Sequence, residues 1–157
     1  MIDRRMQCID ALRKLTKTKK IETISVIEVV NLANVKRTTF YYNFLSIRDV
    51  VVCYFLKTPL ADMRKIDSIE KLIDGINRRF SHDQHFIEQL ISSPNYKSIV
   101  FDAVNAWAQL FFRSQKLEAM KANFYSSGFA TTFLDCYVSN NKDFAKLKSF
   151  IDSLKWR

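Results

Sequence analysis

Glycine and proline are scarce in this chain of 157 residues, which contains two of each. Tight β-turns and hairpins depend on these two residues, so their scarcity argues against a β-sheet. Apolar residues instead recur at the three- and four-residue spacing of a buried helix face. We therefore predict an all-α fold.

Residues that carry catalysis or bind metals are also scarce. The glycines, at positions 75 and 128, are too far apart to form a phosphate-binding glycine loop. His82 and His85 belong to no nucleophile motif, and a surface pair explains them more simply than a metal site does. We expect a protein that is not an enzyme and that has no catalytic residues, metal or cofactor.

The three cysteines, Cys8, Cys53 and Cys136, are odd in number and widely spaced. This pattern argues against a disulfide framework or a zinc site and is typical of a reducing compartment. The N-terminus has no apolar leader, and no stretch reaches the roughly 18 apolar residues of a membrane span. We expect a cytoplasmic protein that does not enter a membrane.

The net charge of +9 is concentrated in the first third of the chain. Residues 1–58 carry 11 basic and 5 acidic side chains, a surplus of +6, whereas residues 59–157 carry 14 and 11, a surplus of +3. Such a surface attracts a polyanion through the release of counterions. A basic surface that simply faces solvent would give the same charge.

Two helix starts and a tight turn lie close together in the first third of the chain. Ser25 and Glu28 form a capping-box pattern at the start of a helix over 26–33. Asn34 follows, and asparagine tolerates the left-handed backbone of a turn. A second helix over 37–43 has a small, basic and hydroxyl-rich outer face. Two short helices across a tight turn indicate a helix-turn-helix, which binds DNA.

This stretch resembles the N-terminal DNA-binding domain of TetR/AcrR transcriptional regulators, and most of all the subgroup that includes the dihydroxyacetone-kinase regulators. The resemblance covers about 50 residues, from roughly Arg4 to Val52. The matching residues are Ser25-Val26, Val29-Val30, Ala33, Asn34-Val35 and the run Arg37-Thr38-Thr39-Phe40-Tyr41-Tyr42-Asn43-Phe44.

The sequence departs from the family pattern at three positions. Asn34 replaces the usual turn glycine, Lys36 replaces a small helix-capping residue, and Ile47 replaces a lysine that lies near phosphate in the family. The resemblance implies a homodimer that binds a palindromic operator. It also implies a second domain in which a small-molecule ligand moves the fourth helix and changes the half-site spacing.

We predict that the second helix of the motif enters the major groove. Threonine hydroxyls and methyls can contact base edges, cationic side chains can reach guanine or phosphate, and tyrosine and asparagine can bond phosphate. The predicted DNA-binding residues are Ser25, Lys36, Arg37, Thr38, Thr39, Tyr41, Tyr42, Asn43 and Arg48.

The remaining helical periodicity suggests two domains, at residues 1–57 and 58–157. Thr58-Pro59 is expected to interrupt the fourth helix, which starts after a second capping box at Ser46 and Asp49. Asn140-Asn141 is expected to separate the last two helices. The other expected helices cover about 4–15, 68–80, 83–92, 96–113, 116–139 and 143–155.

The helix predicted over 96–113 is apolar except for a narrow stripe. Asp102, Asn105 and Gln109 form that stripe, which either faces solvent or lines a pocket for a cationic or hydroxylated ligand. Nearby aromatic residues could close such a pocket or fill it. The candidate pocket residues are Phe80, Phe101, Asp102, Asn105, Trp107 and Gln109.

Apolar residues occur on more than one side of the helix predicted over 116–139, and the last helix carries an apolar seam at heptad-like spacing. One domain cannot easily bury both faces, so we predict a two-fold dimer through a four-helix bundle. The predicted interface residues are Phe129, Phe133, Tyr137, Phe144, Leu147, Ile151 and Leu154.

Together these observations predict a transcriptional regulator, expected to be a repressor, that binds DNA as a homodimer and responds to a small-molecule effector. Two hypotheses of another class stay open. One is a helical interaction protein, or co-regulator, that has kept the fold but lost DNA binding, and the other, ranked third, is a small helical enzyme. The departures at Lys36 and Ile47 are consistent with the interaction protein.

Overall fold

A computed structural model describes residues 1–57, 60, 63–139 and 143–156. Over these residues the chain is helical and contains no strand, which confirms the all-α prediction. Two short 3₁₀ segments occur at Ile21–Thr23 and Met63–Lys65. The α-helices are α1 (Arg4–Leu15), α2 (Val26–Ala33), α3 (Arg37–Asn43), α4 (Ile47–Lys57), α5 (Ile69–His82), α6 (Gln84–Ser92), α7 (Lys97–Ser114), α8 (Ala119–Val138) and α9 (Phe144–Ser153).

Most helix boundaries agree with the sequence predictions to within two residues. The start of α8 is an exception, at Ala119 rather than near residue 116. Lys116 has a φ of 64°, a left-handed conformation that a right-handed helix cannot include. The predicted interruptions at Thr58-Pro59 and at Asn140-Asn141 lie outside the described residues.

The first compact unit comprises Met1–Pro59 and Asp83–Val100. In this unit α1 packs against α2, α3 and α4. Val29, Val50 and Tyr54 form part of its core and are at most 1% exposed. The sequence prediction placed residues 83–100 in the second domain, whereas the structure groups them with the first.

The second compact unit comprises Leu60–His82 and Phe101–Arg157. Its core is aromatic: the ring of Phe80 lies 6.0 Å from that of Phe133 and 5.2 Å from that of Tyr137. Trp156 packs against Phe112, with ring centroids 5.3 Å apart. Helix α9 packs against α5 and α8.

Candidate nucleic-acid interface

Local hydrogen bonds fix both ends of α2. The hydroxyl oxygen of Ser25 accepts from the Glu28 N–H at 3.3 Å, and a Glu28 carboxylate oxygen accepts from the Ser25 N–H at 2.9 Å. This is the predicted capping box. At the other end Asn34 has φ 53° and ψ 47°, so it makes the left-handed turn that was predicted for it. Three residues, 34–36, separate α2 from α3.

The packing of α3 separates an inner face from an outer face. Phe40 is 1% exposed and Phe44 4%, and their ring centroids are 5.3 Å apart. Tyr42 on the opposite side is 90% exposed. Lys36, Arg37 and Thr38 are also exposed, while Thr39 is half-buried. The outer face therefore carries cationic, hydroxyl and phenol groups.

Arg37 and Tyr41 interact on this outer face. The Arg37 guanidinium carbon lies 5.6 Å from the centroid of the Tyr41 ring, and Tyr41 is 46% exposed. A cation–π contact of this kind restricts the guanidinium while its N–H groups stay open to solvent. Within the described part of the chain, no hydrogen bond or ion pair involves the Lys36 or Arg37 side chain.

Lys36 occupies the N-cap position of α3 and makes no side-chain hydrogen bond to the helix. A serine, threonine, asparagine or aspartate at this position would accept from a free N–H of the first turn. The sequence comparison with the TetR/AcrR pattern identified this position as a departure, and the structure gives its physical consequence.

Three of the nine predicted DNA-binding residues make side-chain hydrogen bonds within the first unit. The Ser25 hydroxyl donates to Glu28 at 2.9 Å. The Asn43 amide donates to the Thr39 carbonyl at 2.8 Å, and its oxygen accepts from Arg5 at 3.1 Å. Arg48 donates to the Asn95 carbonyl and, at 3.0 Å, to the Ser98 hydroxyl. Sequence spacing could not show the long-range partners Arg5, Asn95 and Ser98.

The capping box also holds a charge pair. The ammonium of Lys19 donates to the Glu28 carboxylate. This bond, together with those from Ser25, lowers the pKa of Glu28 from its ordinary 4.5 to about 2. Glu28 therefore keeps its negative charge, which balances the positive charge of Lys19.

A second charge network links three helices of this unit. Arg13 on α1 donates to the Asp83 carboxylate, which also accepts from the Tyr54 hydroxyl of α4 at 2.7 Å. Burial opposes the charge of Arg13, but the hydrogen bond and charge of Asp83 outweigh it and raise the pKa of the guanidinium. Because Asp83 immediately precedes α6, the network holds the start of α6 against α1 and α4. The sequence prediction missed it.

Helix α6 also bonds the segment between α1 and α2. The Gln89 amide donates to the carbonyls of Thr16 and Lys19 at 2.8 and 3.0 Å, and its oxygen accepts from the Ile21 N–H at 2.8 Å. His85 Nε2 lies 2.8 Å from the Thr16 carbonyl and must donate, because a carbonyl oxygen only accepts. The sequence prediction did not single out Gln89, and no sequence signal marks it.

His85 and His82 lie on different helices, α6 and α5. Over the residues that the structure describes, no group of three or more potential ligands is placed to hold a metal ion. Cys8, Cys53 and Cys136 are free thiols, and burial raises the pKa of Cys8 to about 11. Cys8 is buried, whereas Cys53 is only partly buried.

The candidate pocket residues of the second unit differ in their burial and in their partners. Phe80 is fully buried, and its ring lies 6.4 Å from that of Trp107 in the core. Asn105 accepts from the Ser127 hydroxyl at 3.3 Å and Gln109 donates to Asn123, so both bond α8. The two outer members of the set, Asp102 and Phe101, are exposed and half-buried respectively.

Most of the predicted dimer-interface residues are buried within their own unit. Phe129, Phe133, Tyr137, Leu147 and Ile151 are at most 7% exposed. The aromatic rings interlock, since those of Phe133 and Phe144 stack 5.1 Å apart. Within the predicted set, Phe144 is half-buried and Leu154 is 40% exposed.

Other apolar side chains on the same helices are exposed. On α8 Met120 is 79% exposed and Phe124 76%, and Phe150 on α9 is 57% exposed. Phe124, Phe150 and Leu154 line an apolar hollow of about 750 Å³ between the two helices. Because apolar residues occupy several sides of α8, the sequence alone could not tell its inner side from its outer side.

No protein-family model matches the chain, and no curated protein matches it. Across the described segments, none of the helices has both the length and the apolar character needed to cross a membrane. The function is therefore inferred from the geometry of α2 and α3 and from the charges around them.

Proposed function

We propose that this protein is a DNA-binding transcriptional regulator in which α2 and α3 form a helix-turn-helix. The observation that carries the proposal is the division of α3 into two faces. Phe40 anchors the inner face, whereas Lys36, Arg37, Thr38 and Tyr42 are exposed on the outer face. A helix whose inner face is packed in the protein, and whose outer face presents cationic and hydroxyl groups, suits the major groove of DNA.

Some of the exposed residues would contact bases and others would contact phosphates. Arg37 can donate to guanine, and the Thr38 hydroxyl and methyl can contact a base edge. Lys36 and Tyr42 can bond phosphate oxygens, which position the helix without reading sequence. Thr39 is half-buried and contributes less, because part of its surface already faces the protein.

The proposal includes a homodimer that binds a palindromic operator. Exposed Met120, Phe124, Phe150 and Leu154 offer an apolar surface on α8 and α9 that a second copy would cover. A dimer places two α3 helices on one DNA duplex. Two are required because a single short helix makes too few contacts for tight and specific binding.

The resemblance to TetR/AcrR regulators extends the proposal to repression that a small-molecule effector relieves. In that arrangement the effector binds the second unit and alters the spacing between the two α3 helices. The hydrogen bonds of Asn105 and Gln109 to α8 mean that such a ligand would have to compete with them if it used the polar stripe.

Fluorescence anisotropy with duplexes from the region upstream of the gene tests the proposal. Arg37→Ala should weaken specific binding by about 1–3 kcal/mol, or roughly 5- to 150-fold. The matched control is Arg113→Ala, which removes another exposed arginine, from α7 of the second unit, and should leave affinity unchanged. Equal effects of the two substitutions would contradict the placement of α3.

A second candidate function is supported by the internal bonds of Ser25, Asn43 and Arg48, which leave fewer groups for DNA. In that case the chain is a helical interaction protein that has kept the fold without the affinity. Binding of the wild type that is equally weak for upstream and random duplexes at low salt would favour this candidate.

A further inference from the structure

The segment that joins α1 to α2, residues 16–20, is basic and has a fixed backbone. We call this Thr-Lys-Thr-Lys-Lys segment the basic connector. Its first residues form a tight turn, in which the N–H groups of Thr18 and Lys19 donate to the Leu15 carbonyl at 3.1 and 3.0 Å. The backbone therefore continues α1 into a compact turn.

Side chains of α6 hold this turn from the other side. Gln89 donates to the carbonyls of Thr16 and Lys19 and accepts from the N–H of Ile21. His85 adds a second donor to the Thr16 carbonyl, and Thr16 is 1% exposed. Four hydrogen bonds from two side chains therefore fix the backbone on both sides of the lysines.

The lysines of the basic connector differ in their partners. Lys19 pairs with Glu28. The exposed side chains of Lys17 and Lys20 form no hydrogen bond or ion pair with any residue that the structure describes. Two acidic residues, Glu22 and Glu88, line the same hollow as Lys20, and Glu22 accepts from the Ser93 hydroxyl. Lys17 and Lys20 therefore keep two ammonium groups in solvent.

The basic connector lies beside the start of α2. The Glu28 carboxylate that accepts from Lys19 also accepts from the N–H of Ser25, the residue that precedes α2. In the proposed helix-turn-helix, the start of α2 lies next to the phosphate backbone. Lys19, which lies between Lys17 and Lys20 in the sequence, therefore joins the basic connector to the start of α2.

We infer that the basic connector is a second phosphate-binding element, in which Lys17 and Lys20 contact the DNA backbone outside the bases that α3 reads. The inference rests on the proposed function and names further residues of the same interface. Lysine binds phosphate as a point charge and reads no sequence. Because α6 already fixes the backbone, little loop entropy is lost when DNA binds.

The test is the salt dependence of DNA binding by the full chain. About four phosphate contacts per subunit give a log–log slope near −7 for the dimer, at about −0.9 per contact. Replacing Lys17→Gln and Lys20→Gln together removes four contacts per dimer and should change the slope to about −4. At about 0.1 M salt the affinity should fall on the order of a thousandfold, while the preference for the operator over random duplexes is unchanged.

Two matched variants control for charge. Lys65→Gln with Lys121→Gln removes the same charge from exposed positions of the second unit and should keep the slope near that of the wild type. Lys17→Arg with Lys20→Arg keeps the charge and should also keep the slope.

A wild-type slope in the Lys17→Gln and Lys20→Gln variant, with specific binding intact, would overturn the inference and leave the proposed function standing. Absence of specific binding by the wild type at low salt would overturn both. Circular dichroism of each variant should show the wild-type helix content, because the replaced side chains are exposed.

Discussion

At the scale of single residues, Lys36 makes no capping hydrogen bond to α3, and the proposed function gives it a contact to DNA. It precedes α3 with an extended backbone, φ −69° and ψ 143°, which is the conformation of an N-cap residue. Its side chain makes no capping bond, so the first turn of α3 is stabilised only by its own backbone and by the burial of Phe40. Because the Lys36 ammonium makes no such bond, the proposed function assigns it to DNA.

Replacing Lys36 separates these two roles. Lys36→Thr and Lys36→Ala lose the same charge, but only threonine can accept from an N–H of the first turn. We expect the threonine variant to be more stable than the alanine variant by about 1 kcal/mol in urea unfolding. Both should bind DNA more weakly than the wild type and to a similar degree. Equal stabilities would show that the first turn of α3 has another acceptor.

Glu28 gives a prediction for pH. Its folded-state pKa of about 2 lies below the ordinary 4.5, mainly because of the hydrogen bond from Lys19. The stabilisation from this group is therefore complete above about pH 4.5 and is lost as the pH falls toward 2. An NMR titration of the Glu28 carboxyl carbon should have a midpoint well below 4.5, and Lys19→Met should raise it.

Because both side chains of the Lys19–Glu28 pair are partly exposed, high salt should raise the same midpoint. A wild-type midpoint close to 4.5 would mean that the Lys19–Glu28 bond does not persist in solution. It would also remove the contact that links the basic connector to the start of α2.

At the scale of helices, local signals predicted α1 to α4 well because each boundary depends on residues close in sequence. The capping box of Ser25 and Glu28 and the left-handed Asn34 act within three residues of the ends they define. The position of α6 in the first unit could not be predicted this way. Gln89 and its acceptor Thr16 are 73 residues apart, and no sequence pattern connects them.

The same distinction applies to the candidate site. The outer face of α3 follows from helical periodicity around buried Phe40 and Phe44, so Arg37, Thr38 and Tyr42 could be predicted as exposed. The internal bonds of Arg48 and Asn43 depend on Asn95, Ser98 and Arg5 and could not. Likewise, the sequence identified α8 and α9 as strongly apolar but not which side of each is buried.

The Asp83 network should contribute substantially to the packing of α6. The Asp83 side chain is 7% exposed, and its removal leaves the Arg13 charge without its buried partner. We expect Asp83→Ala to destabilise the protein by about 3 kcal/mol in chemical unfolding. Asp10→Ala is the matched control, because Asp10 pairs with the same arginine but its side chain is 50% exposed.

The control should cost less than about 1 kcal/mol, as exposed ion pairs do. Tyr54→Phe removes one hydrogen bond to Asp83 and should fall between the two, at about 1–2 kcal/mol. A loss of stability for Asp10→Ala as large as that for Asp83→Ala would show that the stabilisation does not depend on burial of the pair.

At the scale of the whole molecule, the proposal requires two copies of the chain, and the exposed apolar residues of α8 and α9 provide the surface. Phe124→Glu with Phe150→Glu would place charge on that surface without opening the core, since these residues are 76% and 57% exposed. We expect a folded monomer in sedimentation at micromolar concentration, whereas we expect the wild type to be a dimer under the same conditions.

Two comparisons make this test specific. Leu110→Glu alters an exposed leucine of α7, 55% exposed, and should leave the dimer intact. Leu147→Glu with Ile151→Glu alters buried residues, 3% and 4% exposed, and should unfold the second unit rather than dissociate it. A monomeric wild type would contradict the dimer.

The central claim, that a dimer of this chain places α3 in the major groove of a specific duplex, is tested most directly by selection from a random pool of double-stranded DNA. We predict that the wild type enriches an inverted repeat whose half-site centres are about 10 base pairs apart, or a multiple of that distance. Tyr42→Ala should recover the same repeat with lower affinity, because a phosphate contact carries no sequence information. A pool that shows no enriched sequence after repeated rounds with folded protein would contradict the claim.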